Sequence, residues 1–426
     1  MRYKQAVLPR GAKLYYVKNT TSKTTMVDVM FPCGSRCDTI PGLAHFTEHM
    51  FFTGTKTMKK EEVVSRLDKF VNTNAYTNCK EIVFTANVFT SEFKDYLDML
   101  ATIITESDFK QKMVDQEIKV VQQEIARYSD DFRRHMYYFN SYNMTKREEY
   151  KYAVTGTKKS VATIKSKDVK QFVKKYFVVE NMEIFVASPL SFEKVKSLIS
   201  SRLEAKLNTN KNFEHLPMFT EYTVDKSFYS IKQKDIGKCY LSINFDVNSH
   251  IKDFEKKRKL WLMVNMMNNM SDGIMNDMRI KKSLVYGCWF NQSYTDKDCA
   301  LTFSTECDKE NLDEVILTLN EYLKRMLKDK FTMAQLLKAK REFDYSEDVR
   351  EPSAYYNLYK LRDIRIYDKV LSDKWLKTMT QKVTIDDINE LFAEIFHNPK
   401  VSVSVYGGVT KNEIMSKKEF LSHFDI

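Results

Sequence analysis

An internal duplication constrains this chain more than any other feature. Thr25–Phe31 alternates and is rich in Val and Met, which marks a strand. Cys239–Val247 alternates in the same way. The patterns that follow the two strands come in the same order. After the first comes a helical stretch around Gly42–Phe52, then Lys60–Phe70 with Val63, Val64, Leu67 and Phe70 at helical period. Alternating Asn74–Val88 and helical Glu92–Ile104 follow. After the second strand, Phe254–Met270 stands in place of Gly42–Phe52. Ser283–Gln292 and Ala300–Thr305 stand in place of Asn74–Val88, and Leu312–Leu327 in place of Glu92–Ile104. Helical Met113–Tyr128 and Val161–Tyr176 and strand Glu183–Ala187 complete the first half, and Val401–Val405 answers Glu183–Ala187. The pattern predicts an α+β fold of two tandem homologous domains, each a mostly antiparallel sheet flanked by helices. Residues 1–206 form the first and 218–426 the second, joined across the polar, Asn-rich stretch 207–217.

The first copy holds groups that the second lacks. His45 and His49 are four apart, so on a helix they lie about 40° apart on one face. Glu48 lies on the same arc. Two neutral imidazoles at this spacing suit Zn²⁺, and a neighbouring carboxylate can take a proton from water. The order His-x-x-Glu-His reverses the commoner His-Glu-x-x-His zinc signature. Leu43, Phe46 and Met50 make another side of the helix apolar. Polar groups pressed into such a segment need a partner, and a cation supplies one. Thr39 and Pro41 are expected to open this helix, with Pro in its first turn. Glu117 and Glu124, seven apart on Met113–Tyr128, share a face and compete as the third ligand with the alternative of a solvated charge face. Phe254–Met270 has no His, and Met263, Met266, Met267 and Met270 form a stripe expected to pack in the core.

Composition narrows the classes that remain. The net charge of +11 is modest for 426 residues, and no basic block or zinc-finger spacing points to nucleic acid. No run of about 18 apolar residues predicts membrane insertion. The start, Met1-Arg2-Tyr3-Lys4-Gln5, leads into a strand–turn–strand unit without a signal-like apolar core. Seven cysteines without a framework suggest free thiols in a reducing compartment. The expected location is the cytoplasm or an organelle matrix.

The chain resembles the pitrilysin/insulinase family of zinc peptidases, which includes the mitochondrial processing peptidases. The resemblance rests on Gly34-Ser35-Arg36, on Gly42-Leu43-Ala44-His45-Phe46-Thr47-Glu48-His49-Met50-Phe51-Phe52-Thr53-Gly54-Thr55, and on Asn74-Ala75-Tyr76-Thr77 with Glu81. Glu117, Val121 and Glu124-Ile125 follow, then Arg279, Leu284 and Tyr286. It departs where Asn72-Thr73 replaces glycines of many members. The resemblance implies His45, His49 and Glu124 as ligands of one Zn²⁺ per chain, Glu48 as general base and Glu117 as a carboxylate supporting the site from behind. It also implies that Asn74 and Ala75 lie on a strand edge that pairs with substrate. Arg279 and Tyr286 would reach the scissile bond from the second domain across a cavity. The implied function is a zinc endopeptidase acting on extended peptides or leader segments in an enclosed chamber, as a homodimer or paired with a similar subunit. The competing class is a non-catalytic assembly or partner subunit of a processing peptidase.

Overall fold

The computed structural model describes residues 2–20, 22–128, 131–215, 229–247, 251, 253–294, 299–349, 353–367 and 369–424. Its contacts group into two units. Unit 1 contains Met1–Asp131, Glu148–Met218 and Glu351–Leu371, and unit 2 contains Phe132–Arg147, Phe219–Arg350 and Ser372–Ile426.

In chain order, unit 1 holds strands β1 (Tyr3–Val7), β2 (Lys13–Lys18), β3 (Thr24–Phe31), β4 (Thr73–Thr77), β5 (Ile82–Phe89) and β6 (Glu183–Ser188). Unit 2 holds β7 (Tyr229–Gln233), β8 (Cys239–Asp246), β9 (Cys288–Tyr294), β10 (Cys299–Cys307) and β11 (Val401–Gly407). Helices α1 (Leu43–Met50), α2 (Lys60–Leu67), α3 (Phe93–Glu106) and α4 (Gln111–Tyr128) belong to unit 1, and α5 (Phe132–Thr145) to unit 2. Then α6 (Lys158–Val161), α7 (Ser166–Tyr176) and α8 (Phe192–Arg202) return to unit 1. Unit 2 resumes with α9 (Phe254–Met267), α10 (Leu312–Asp329) and α11 (Met333–Asp348). Unit 1 then takes α12 (Ala354–Leu361) and α13 (Ile364–Tyr367), and unit 2 ends with α14 (Asp373–Lys382), α15 (Ile385–Phe396) and α16 (Lys417–His423).

The duplication is visible in the sheets. Unit 1 orders its strands β1-β2-β6-β3-β5-β4 and unit 2 orders them β7-β11-β8-β10-β9. In each sheet one parallel pair, β2 with β6 and β7 with β11, is followed by antiparallel pairs only. Strand β1 has no counterpart among the described residues. Strand β4 is the far edge of its sheet and, among the described residues, pairs only with β5.

Period-2 patterning fills both faces of the unit 1 sheet. Val27, Val29 and Phe31 of β3 join Leu14, Phe84, Ile184 and the helices α1, α3, α4, α7 and α8 in the main core. Met26 and Met30 of the same strand face the other way, with Val83, Phe185 and Ala187. Ala354, Leu358 and Leu361 cover that second face, at the spacing that puts one helical face inward. Unit 2 closes its corresponding face with α5, and does so with polar groups. Asn140 and Asn244 exchange amide hydrogen bonds of 3.1 and 2.9 Å, and the Asn143 amide donates to the Ser404 hydroxyl at 3.3 Å.

These helices change the expected domain plan. Unit 1 takes α12 and the short α13 from the second half of the sequence and unit 2 takes α5 from the first, so the grouping does not follow a single boundary near 207–217. Within 207–217, residues 207–215 belong to unit 1 and 216–217 lie outside the described residues. Other expectations shift in detail. Helix α9 stops at Met267, so Met263, Met266 and Met267 are buried but Met270 is 49% exposed. The helix expected from Val161 begins at Ser166, after the separate turn α6. His135 of α5 stacks on Tyr406 with ring centroids 6.3 Å apart.

Candidate metal centre

Helix α1 is almost wholly buried. Leu43, Ala44, Phe46 and Met50 sit in the core, and Phe51 just beyond it packs against Phe84, Phe109 and Phe177 with ring centroids 4.7–5.6 Å apart. Each fully buried phenyl contributes about 1.5–3 kcal/mol, so the helix is fixed as a rigid platform. Pro41 does not lie in the first turn. The helix starts at Leu43 behind Gly42, whose φ is 95°. The Asp38 carboxylate caps it by accepting the Gly42 N–H at 2.8 Å and the Ala44 N–H at 2.7 Å. Burial pushes the Asp38 carboxyl up to about 7 against the pull of those backbone donors.

On this platform His45 and His49 hold their rings 4.6 Å apart. Glu124 arrives from α4 and spans them. One of its oxygens is 3.5 Å from His45 Nε2 and the other 3.4 Å from His49 Nε2. Donor atoms of the three residues lie within 4.8 Å of one another. Ligands bound to zinc at about 2.0–2.1 Å stand about 3.3 Å apart at the corners of a tetrahedron. The observed spacing fits that arrangement, and a carboxylate with two imidazoles is a donor set that zinc takes.

Helix α4 presents Val114, Glu117 and Val121 on its buried face. A carboxylate there needs partners. Glu117 finds two, because its Oε1 is 3.0 Å from His49 Nδ1 and its Oε2 accepts from Lys60 Nζ at 2.9 Å. Burial would raise Glu117, but His49 and Lys60 prevail and hold it below the ordinary carboxylate range. Burial would likewise lower His49, but Glu117, Glu124 and the charge of Glu48 raise it to about 9. Hydrogen bonds from His45 and His49 hold Glu124 far below its ordinary value. Together these carboxylates surround the imidazoles with charge that a cation would neutralise.

Glu48 lies on the same helix, 8% exposed, and accepts a hydrogen bond from the Thr77 hydroxyl at 2.9 Å. It opens onto a cleft of about 380 Å³ in unit 1. Glu48, His49, Lys60 and Glu117 line one side, Phe52, Phe84 and Leu100 are among its apolar walls, and Thr73, Asn74 and Ala75 of the edge strand complete it.

Of the residues singled out in the sequence, unit 1 brings together His45, His49, Glu124, Glu48, Glu117, Asn74 and Ala75. Arg279 and Tyr286 belong to unit 2, where the guanidinium carbon sits 4.6 Å from the ring centroid. Arg279 lies in a π-helical turn, Asn276–Lys281, and Tyr286 is 83% exposed. Lys60, Thr77 and Asp38 were not legible as site residues. Lys60 and Thr77 each act through one bond to a residue distant in sequence, Asp38 acts through two backbone donors, and no local period marks any of them.

The insulinase (peptidase family M16) model matches residues 13–158, and the model of the peptidase M16 inactive domain matches residues 163–343. The chain belongs to peptidase family M16. Among its M16 relatives, the uncharacterized zinc protease YmxG of Bacillus subtilis (strain 168) is 25% identical over 80% of this chain and 82% of its own length. The probable mitochondrial-processing peptidase subunit beta of Arabidopsis thaliana is 28% identical over 48% of this chain and 39% of its own. The fold is shared with the crystal structure of a protease from Helicobacter pylori. That match has a TM-score of 0.80 at 18% identity and covers 95% of this chain and 99% of the other. No helix among the described residues is long and apolar enough to cross a membrane.

Proposed function

We propose that this M16 chain is a zinc-dependent endopeptidase that cuts extended peptides, leader or presequence segments among them, within an enclosed chamber. The observation that carries the reading is the convergence of His45, His49 and Glu124 on one point beside Glu48 and an open cleft. His45 Nε2, His49 Nε2 and the Glu124 carboxylate would hold the ion. Bound zinc supplies Lewis acidity to the scissile carbonyl and to the attacking water.

The chain's own residues do the rest. Glu48 takes the proton of the attacking water and passes it to the leaving amine. The Thr77 hydroxyl orients the Glu48 carboxylate for that transfer. Glu117, itself held by Lys60, fixes the ring of His49. The open edge of β4 at Asn74 and Ala75 binds peptide backbone by strand addition, which reads main chain more than side chains. Chains work in pairs, as two copies or with a similar subunit. The Arabidopsis relative is named as a subunit, which supports that pairing. The same likeness supports a second reading, a non-catalytic partner subunit, and the complete donor set beside Glu48 favours the first.

The test is cleavage of an unstructured peptide library with and without a chelator, with cut sites mapped by mass spectrometry. The reading expects chelator-sensitive cuts and a Glu48→Gln variant that keeps its zinc and loses cleavage. Cleavage by Glu48→Gln at the wild-type rate would remove the base from the account.

A further inference from the structure

Strand β4 is short, half-exposed and, among the described residues, paired on one side only. Alternation puts Thr73, Ala75 and Thr77 towards α1 and the cleft, with Tyr76 on the opposite face of the sheet. Thr77 is tied to Glu48 on the cleft side. On the opposite side, the Tyr76 hydroxyl accepts a hydrogen bond from Arg362 Nη1 at 2.8 Å. Arg362 Nη2 also stands 2.6 Å from a carboxylate oxygen of Asp28, in the middle of β3. Three residues on, Arg365 pairs with Glu81, immediately before β5, and its Nε stands 2.8 Å from Glu183 of β6.

These charges lie in a layer otherwise built of Met26, Met30, Val83, Phe185 and Leu358. Asp28 and Glu81 are buried. Apolar residues at both 28 and 362 would dock α12 about as tightly, because a buried ion pair adds little net stability. What a buried pair does well is fix one geometry. Asp28 fixes where the Arg362 guanidinium sits, and the guanidinium then spends its other arm on the edge strand alone.

We propose that Arg362 is a positioning residue for peptide binding: held by Asp28, it grips Tyr76 from behind and keeps the open edge of β4 in register for an incoming backbone. Residues 354–367 are thus a clamp on the substrate strand, supplied from 286 positions further along the chain. The inference rests on the proposed reading of β4 as the peptide-binding edge.

Tyr76→Phe removes the grip and keeps the ring. Arg362→Lys can reach one partner in place of two, and Arg362→Gln breaks the ion pair. Two readouts are taken: KM and kcat on an unstructured fluorogenic peptide, and amide exchange of residues 73–77 in the peptide-free protein. Losing one hydrogen bond of ordinary net strength predicts for Tyr76→Phe a KM raised roughly 5- to 10-fold, kcat within about twofold, and faster exchange in 73–77 by a similar factor. Zinc content stays at the wild-type level, and Arg362→Lys falls between wild type and Arg362→Gln. Unchanged KM and exchange in Tyr76→Phe overturn the proposal. So does a fall in kcat and zinc content together, which is the mark of a purely structural role. If the wild-type protein cuts no peptide, the function reading fails by itself, and exchange in 73–77 still decides whether the clamp exists.

Discussion

Helix α1 follows β3 and packs on α4, and α9 follows β8 and packs on α11. The two pairs hold the same places in two copies of one fold and solve opposite problems. In unit 1 the interface carries His45, His49, Glu117 and Glu124, which satisfy one another only in part. In unit 2 the same interface is filled. Trp261 meets Phe343 edge-on at 5.5 Å, and the Arg258 guanidinium lies 4.2 Å from one ring and 4.1 Å from the other. Arg258 Nε donates to the Thr380 hydroxyl at 2.6 Å. One copy therefore uses a cation of its own, stacked on aromatic faces. The other keeps acceptors gathered around a space that suits a metal ion. The contrast teaches that the fold does not require the polar site, because its twin closes the same contact with aromatic packing.

That contrast can be broken by mutation. The largest effect on stability is expected in the filled copy. Phe343→Ala opens a cavity and removes one face of the Arg258 stack, at a cost of about 3–5 kcal/mol in denaturant unfolding of unit 2. Zinc content should not change. A loss of zinc without a loss of stability would erase the distinction between the two interfaces.

The next effect falls on unit 1. Glu117→Gln leaves Lys60 without its anion and weakens the hold on His49, so zinc affinity should drop about 10- to 100-fold by chelator competition. Fold stability of the metal-free protein changes less than in Phe343→Ala. Equal affinity in wild type and variant would reduce Glu117 to a packing residue.

The smallest effects separate the caps of the two helices. Asp253 caps α9 from an exposed position through the Lys256 N–H at 2.8 Å, whereas Asp38 serves two backbone donors of α1. Asp38→Ala should cost about 1–2 kcal/mol and Asp253→Ala about 0.5–1 kcal/mol in thermal or denaturant unfolding. Asp38 also gives a pH signature. Burial raises it from 3.8 to about 7 in the folded chain. The folded state then binds this proton more tightly than the unfolded state does, so stability falls as pH rises from about 4 through 7. Asp38→Asn should flatten that slope, and an unchanged slope would assign it to other groups.

How much of this was legible depends on whether the signal was local. The two histidines and Glu48 are local, because helical spacing alone places them on one arc. The alternation of Thr25–Phe31 and Cys239–Val247 is local too, and it yields the paired strands β3 and β8 at the centre of matching sheets. Glu124 is not local. Spacing put it on a face with Glu117, and only the family resemblance chose between them. The exchange of α5 for α12 and α13 was invisible, because an amphipathic face such as Ala354, Leu358 and Leu361 says that it will be buried and not against which sheet. Asp28 was read as part of an ordinary strand, since its partner Arg362 lies 334 positions away. Pro41 misled for a physical reason. Its usual place in a first turn yields here to Gly42 at φ 95° and the Asp38 cap.

The most direct test is metal analysis of the purified protein. Wild type should hold about one zinc ion per chain, and Glu124→Ala should hold close to none while keeping its fold. A wild-type sample without metal, or a Glu124→Ala variant that binds zinc as tightly as wild type, would contradict the claim that these three side chains form one metal centre.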